Sequence, residues 1–595
     1  MLATLAVLAA ATCLATTSEV RFHELDVVDA PFSMPTVREC VFPARDFSVS
    51  AFGAKPDGSV STAAFASAMK ACHESGGGFV VVPRGRWLTG AVRLLSNCCL
   101  RLEEGATLVF TDDPKDYPLV QTAWEGVECL NISPLIHAFG VENVGIVGPG
   151  RIEPRMQRWR DWFARSPEHK RATELLYHWG ATNAPMSVRN VVAIKGANVR
   201  PPLIEFNRVK NVLLDGFSVR ESPFWTIHLY HSENCVVRNL NLWAHGHNND
   251  GIDVDMTRNV LIENCRFDQG DDGICLKAGR NQDAWRLKRP TENVVVRDCE
   301  FLHAQTMLGI GSELSGGIRN VWMTRCRATT GLMGVRIKTN RRRGGFVENV
   351  WFDHCVLGSM HWMFGLQTDV LYQWADFPDY EIRYTRIRNI NVSDVTCRWA
   401  EIGLGLYGDC HLEPSGLTFS NICFDRIVDK MKEIRNCREV CLTNVTCLAM
   451  AKPGSSPRCA ELPFAGPVAC LSDRHRKAAA FINSADLGVL ADGNYDLGDG
   501  VSARIGADTM RPVADATYLS DDMFDTLVTW PDPGSRERFW VGPDRLELSC
   551  GTGEYAFIPA GQAFAERLVY ANRKTCRRIV VKIRAQKEKQ EDNIL

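Results

Sequence analysis

Between about residues 143 and 445 one short pattern of apolar and polar positions recurs: an Asn, three alternating apolar positions, then often Asn, Asp or Gly before a small apolar residue. It reads NVLLDGF from Asn211, NCVVRNL from Asn234, NVLIENC from Asn259, NVVVRDC from Asn293, NVWMTRC from Asn320 and NVWFDHC from Asn349. Looser copies stand at NVGIVGP from Asn143, NINVSDV from Asn389, GLTFSNI from Gly416 and EVCLTNV from Glu439. The spacing of about 23 to 40 residues suits one coil of a β-solenoid with loops inserted on a fixed face. Period-2 alternation within each copy predicts a strand with every second side chain inside.

The last position of the pattern holds Phe217, Leu240, Cys265, Cys299, Cys326, Cys355, Val395, Ile422 and Val445. Cysteine there takes the place of Leu, Val or Ile, so those four read as a buried stack of free thiols that act as small hydrophobes. Upstream, STAAFASAMKACHESGGG from Ser61 predicts a capped amphipathic helix ending in glycines, placed to cover the open end of the solenoid. A Trp- and Arg-rich insertion between Gly150 and Pro201 predicts a helical loop near the binding face. The expected organisation is a signal peptide over 1–17, a β-helix with an N-terminal helical cap over 18–454, and over 455–595 a small β-rich extension with a disordered tail.

Composition narrows the function. A formal net charge of −2 over 595 residues argues against general nucleic-acid or membrane-surface binding. Residues 1–17, MLATLAVLAAATCLATT, have the apolar core and small residues of a secretory signal without its basic start, and no later run is long enough for a membrane helix. The expected product is secreted or periplasmic, with no membrane span and no nucleic-acid partner.

The chemistry concentrates in HNNDGIDVDMTRNVLIENCRFDQGDDGICLKAG, from His247 to Gly279. If Asn259 opens one coil, Asp250 precedes its strand and Asp271–Asp272 follow it, at corresponding turns of adjacent coils about 4.8 Å apart. Three carboxylates then meet on one patch. Such a group suits glycoside hydrolysis, in which one carboxyl kept protonated by its neighbours donates to the leaving oxygen and another activates water. Arg336 and Lys338 in RIKT fall on the same face two coils on, as an anionic sugar requires. Two rival readings stay open: a calcium-dependent lyase using Asp250, Asp253 and Asp255 as ligands, and a solenoid that binds sugar without cleaving it.

The segments NNDGIDVD, GDDGICLKAG, IGSELSGG and GVRIKTNRRRGG, in that order, resemble the motif set of family 28 glycoside hydrolases, the polygalacturonase group. FSVSAFGAKPDG, GGGFVVVPRGRWLTGAVRL and SPFWTIH are similar to the N-terminal half of its exo-acting bacterial members, and the likeness spans roughly residues 46 to 450. The resemblance implies a right-handed single-stranded parallel β-helix that hydrolyses α-linked galacturonate in pectin with inversion and no metal or other cofactor, exo attack being favoured by GSELSGG and the insertions. By motif, Asp271 matches the general acid, Asp250 and Asp272 the pair that activates water, Asn248 the Asn opening the first motif, and Arg336 and Lys338 the grip on the substrate carboxylate. Lys277 and His228 are expected to line subsites, while Asp253 and Asp255 fall outside the triad and are expected to serve the turn. Most polygalacturonases carry a Gly-His-Gly before IGS; counting back from Ile310 puts Gln305 at that His, with His303 off register. Rhamnogalacturonan-cleaving members also lack the His, which makes that activity the alternative.

Overall fold

In a computed structural model, the structure describes residues 19–25, 30–370 and 381–450 and the strands 493–498, 501–507, 554–557, 567–572 and 577–583. The signal-peptide expectation and the C-terminal tail lie outside the described residues.

Every predicted copy of the pattern from Asn143 to Glu439 falls on a strand of one 28-stranded sheet wound into a parallel β-helix. Lys210–Asp215, Glu233–Arg238, Arg258–Glu263, Thr291–Arg297, Ile318–Thr324 and Phe346–Asp353 pair in sequence, each parallel to the next. The leading Asn has a physical reason. Asn143, Asn211, Asn234, Asn259, Asn293, Asn320, Asn349 and Asn389 all take φ between 56° and 64°, a left-handed turn that Asn tolerates better than other residues with a Cβ. Their side-chain amides also bond coil to coil, as Asn293 donates to Asn259 at 2.9 Å, Asn320 to Asn293 at 3.0 Å and Asn349 to Asn320 at 3.1 Å. At a net of about 1 kcal/mol per bond, this ladder fixes the register of each coil over the last.

The pattern's final row is buried as expected: Cys265, Cys299, Cys326 and Cys355 are free thiols packed in the core, and the Cys299 N–H points at the Cys326 sulfur at 3.5 Å. Alternation, however, understates the burial. Leu213, Val236, Leu261 and Val295 face away from the coil interior yet are covered, because the strand Val37–Val41 and the segment around Phe42 lie across them. Both faces of these strands are therefore apolar, which is why LL, VV, LI and VVV run continuously.

The helix Thr62–Glu74 closes the open end with Ala64, Phe65, Ala68, Met69 and Cys72 buried. It starts at Ser61 as expected, but no side-chain cap bond forms there. The first coils have three short strands each; from Glu300 onward the second and third fuse, giving Glu300–Gly311, Arg327–Lys338 and Val356–Gln367, and then the single strands Arg386–Tyr407 and Ser415–Arg435. The described strands after residue 490 form a separate five-stranded antiparallel sheet.

Candidate active site

One face of the helix is built by Ile204–Asn207, Ile227–Tyr230, Ile252–Asp255 and Ile274–Lys277, stacked in parallel register. The Ile residues and Phe206, Leu229, Val254 and Leu276 enter the core, so the alternate positions form polar columns on the other face. One column runs Glu205, His228, Asp253, Cys275, Gly309, Arg336. Its neighbour runs Asn207, Tyr230, Asp255, Lys277, and continues in Lys338, Gln367 and Tyr407. His228, Lys277, Arg336 and Lys338, widely separated in sequence, thus share one surface.

The acid trio sits at the turns entering these strands. The Thr226 N–H donates to the Asp250 carbonyl at 2.8 Å and the Gly251 N–H to the Asp272 carbonyl at 2.9 Å, which stacks Asp250 over Asp272 in adjacent coils. Glycine follows Asp250 and Asp272 because no side chain fits: a Cβ at Gly251 would stand 2.4 Å from the Gly273 carbonyl, and one at Gly273 would stand 2.6 Å from the Phe301 ring. Phe267 and Phe301 stack beneath this turn with centroids 4.6 Å apart.

The three carboxyl groups differ in their surroundings. Asp271 accepts the backbone N–H groups of Asn248 at 2.9 Å and of Asp272 at 3.0 Å, and it is the member left partly open to solvent. Burial and the neighbouring Asp272 charge raise its pKa. Asp250 is pushed well up by burial and by Asp253 and Asp271. Burial would raise Asp272 too, but Lys338, donating to its Oδ2 at 2.8 Å, brings it below the ordinary carboxylate value. An oxygen of Asp250 and one of Asp272 lie within 4.8 Å of each other.

The other sequence candidates are placed as follows. Asn248 is gripped through its Oδ1 by Arg200 at 3.1 Å and Arg165 at 3.4 Å. Lys277 lies 3.5 Å from Asp253 and 3.4 Å from Glu313, with its ammonium 4.6 Å over the Trp225 ring. Arg336 is half-buried and donates to Gln367 Oε1 at 3.0 Å. His228 presents no surface to a ligand. It is fully buried between Glu205 at 3.2 Å and Asp255 at 3.6 Å, and although burial favours the neutral ring these carboxylates carry its pKa up to about 9.

The subsite expected at His228 is thus not formed, and two further expectations are corrected. Asp253 and Asp255 do not serve a turn: both are strand residues, wholly buried, in the two polar columns. Burial pushes Asp253 up to about 7 against the pull of Lys277 and His228, and Asp255 accepts the Gly279 N–H at 2.9 Å. Gln305 is beside the site through its backbone, donating to the Asp271 carbonyl at 2.8 Å, but the side chain standing against Asp272 is Thr306. The register irregularity of Glu300–Gly311 lies upstream of both residues, at Phe301–His303; Leu276 pairs Ile310, and the same spacing carried back from there sets Thr306, not Gln305, level with Asp272.

Glu313, Arg280, Arg200 and Tyr177 were not singled out. Glu313, held anionic against burial by Lys277, Arg280 and Arg343, accepts from Arg280 at 2.6 Å. Arg280 also reaches Glu125 at 3.1 Å and covers the Tyr177 ring at 4.0 Å; Tyr177 lies on the insertion helix Pro167–Thr182 and donates to Glu125. The Glu in the quoted GSELSGG, standing alone among small residues, was the available signal.

A polar face on a β-helix, with one carboxylate held anionic, a second biased toward protonation and cations beside both, defines an acid–base hydrolase of saccharide chains. The profile for Glycosyl hydrolases family 28 matches residues 121–447, more than half of the chain, which belongs to that family and is a glycosidase with its right-handed parallel β-helix. A hyperthermoactive exopolygalacturonase from Thermotoga maritima is 30% identical with a TM-score of 0.61, covering 68% of this chain and 94% of that one. A probable polygalacturonase of Vitis vinifera is 26% identical over 444 residues, 71% of this chain and 82% of that protein. An exo-poly-alpha-D-galacturonosidase of Dickeya chrysanthemi is 25% identical over 334 residues, 53% of this chain and 55% of its own. Among the described residues no helix is long and apolar enough to cross a membrane.

Proposed function

We propose that this chain hydrolyses the α-linked galacturonate backbone of pectin from a chain end, by single displacement with inversion. The observation that carries the reading is the division of labour among three carboxyls within one turn-to-turn contact. Asp271, raised in pKa and partly open, is the acid that protonates the leaving glycosidic oxygen. Asp272, kept anionic by Lys338, takes the proton of the attacking water. Asp250 completes the cradle: oxygens no more than 4.8 Å apart are spanned by one water making two hydrogen bonds of about 2.8 Å. Arg336, with Lys338, meets the carboxylate of the sugar.

Exo attack is supported by the insertion. Its Arg165 reaches Asn248, and the carbonyl of its Phe163 lies 3.1 Å from the His247 Nε2, so the loop that leads to Asp250 is fastened to added structure. The buried Tyr177–Glu125–Arg280–Glu313 network then ties the insertion helix to Lys277. A wall on one side of the acids leaves room for a terminus rather than a continuous chain. Rhamnogalacturonan cleavage, suggested by the missing His, finds no support among the relatives named above. Secretion or periplasmic export and the β-helix limit near residue 454 belong to the same reading.

A time course of product length on galacturonate oligomers and on rhamnogalacturonan tests it. Release of monomer or dimer from the oligomers from the first time point is expected. Random shortening would overturn the exo mode, and cleavage of rhamnogalacturonan alone would overturn the substrate.

A further inference from the structure

We propose a transition-metal site, separate from the acid trio, formed by His245, Asp268 and His303. These residues lie on three consecutive coils, and one donor atom from each falls within 4.8 Å of the other two. His245 follows the strand Asn241–Ala244, while Asp268 and His303 are register partners on Arg266–Gln269 and Glu300–Gly311. The His245 Nε2 is 2.7 Å from Asp268 Oδ1, and the two imidazole rings are stacked with centroids 5.8 Å apart.

Three features suit metal binding. The His303 Nδ1 is 2.7 Å from the Gln269 carbonyl, which only accepts, so Nδ1 carries the proton and Nε2 the lone pair; metal-bound histidines are oriented in this way. Second, His245 is fixed by Trp243, whose ring lies 5.0 Å away, and by the close approach of Gly270, where a Cβ would stand 2.7 Å from the Gly246 nitrogen and 3.1 Å from the His245 Cα. Third, the imidazoles are nearly buried while Asp268 keeps 26% of its side chain exposed, which gives an ion a route from solvent.

Two nitrogens and one carboxylate oxygen form the donor set of zinc and its neighbours, with water completing the shell, and too few oxygens for calcium. Bonds of about 2.0–2.2 Å require donors roughly 3.3 Å apart, which these side chains reach by small rotations. An ion there would tie together three coils, each of which carries a site residue a few positions on: Asp250 after His245, Asp271 after Asp268 and Thr306 after His303.

The test uses the full chain without a purification tag, stripped with chelator and titrated calorimetrically with Zn²⁺. One ion per chain and a zinc-dependent rise in Tm are expected. Asp268→Asn and His303→Gln should each weaken binding by at least about 100-fold and abolish the Tm rise, whereas His411→Gln should change neither. Loading wild type with Co²⁺ checks the donors without any variant: visible bands free of a thiolate charge-transfer feature are expected. A thiolate feature would assign the ion to the Asp409–Cys410–His411 group or to Asp250, Asp272 and Cys275 instead, and would overturn the proposal. So would the absence of saturable binding, or binding untouched by the two substitutions.

Discussion

Replacing Lys338 by methionine keeps most of the side chain's length and removes the ammonium that donates to Asp272 Oδ2 at 2.8 Å. Asp272 is fully buried and Lys338 nearly so. At that distance an effective dielectric of about 20 gives an attraction of about 6 kcal/mol, part of which offsets the desolvation of the two charges. Stranding a buried partner costs about 3–5 kcal/mol. The pH dependence fixes the cause. In wild type the folded-state pKa of Asp272 is depressed, so its contribution is present above the ordinary value near 4 and is lost only as pH falls through the folded pKa. In Lys338→Met burial dominates and the folded pKa lies above the unfolded one. The variant should then be most nearly native in stability in acid and lose about 3–5 kcal/mol as pH rises toward 7. Urea denaturation of both proteins between about pH 4 and 7 measures this, and the acid limb of the variant's kcat/KM profile should move upward. A stability difference independent of pH, or one under about 1 kcal/mol at neutral pH, would refute the assignment of Lys338 as the group that keeps Asp272 ionised.

Asp271→Asn should lower kcat by about 10²–10⁴-fold while leaving KM within a few-fold, as measured by reducing-end release on galacturonate oligomers. Equal losses in binding would show that Asp271 holds substrate rather than donating a proton. His228, raised to about 9 in the folded state, contributes stability that is fully present below about 6.5 and lost as pH rises through about 9. Wild type should therefore lose roughly 3 kcal/mol over that window relative to His228→Gln, read as converging denaturation midpoints. Phe301→Ala removes half of the Phe267–Phe301 stack beneath the Asp271–Asp272 turn and should cost about 3–5 kcal/mol in urea denaturation.

The coil repeat was legible because a β-helix imposes two local demands at each turn: a left-handed residue, met by Asn, and an inward apolar row, met even by cysteine. The adjacency of Asp250 and Asp272 followed from the same register. What was not legible depends on contacts between coils. In IDVD the acids alternate with apolar residues just as solvent-facing positions do; only stacking against His228 and Lys277 shows that they are buried. Thr306 stands in for the expected Gln305 because the residue level with Asp272 is set by the pairing of Ile274–Leu276 with Leu308–Ile310, a contact between coils. The covered outer face of the early strands depends on a segment around Val37–Val41 whose short apolar run gives no hint of where it docks.

The stereochemistry and size of the first product test the central claim most directly. Proton NMR of the enzyme acting on a short α-linked galacturonate oligomer reports both before mutarotation intervenes. The expected signal is the β-anomer of a newly formed reducing end, on a monomer or dimer, with no unsaturated product. Retention of the α-configuration, an unsaturated uronate, or an intact oligomer would contradict a mechanism in which Asp272 and Asp250 hold the water that Asp271 completes.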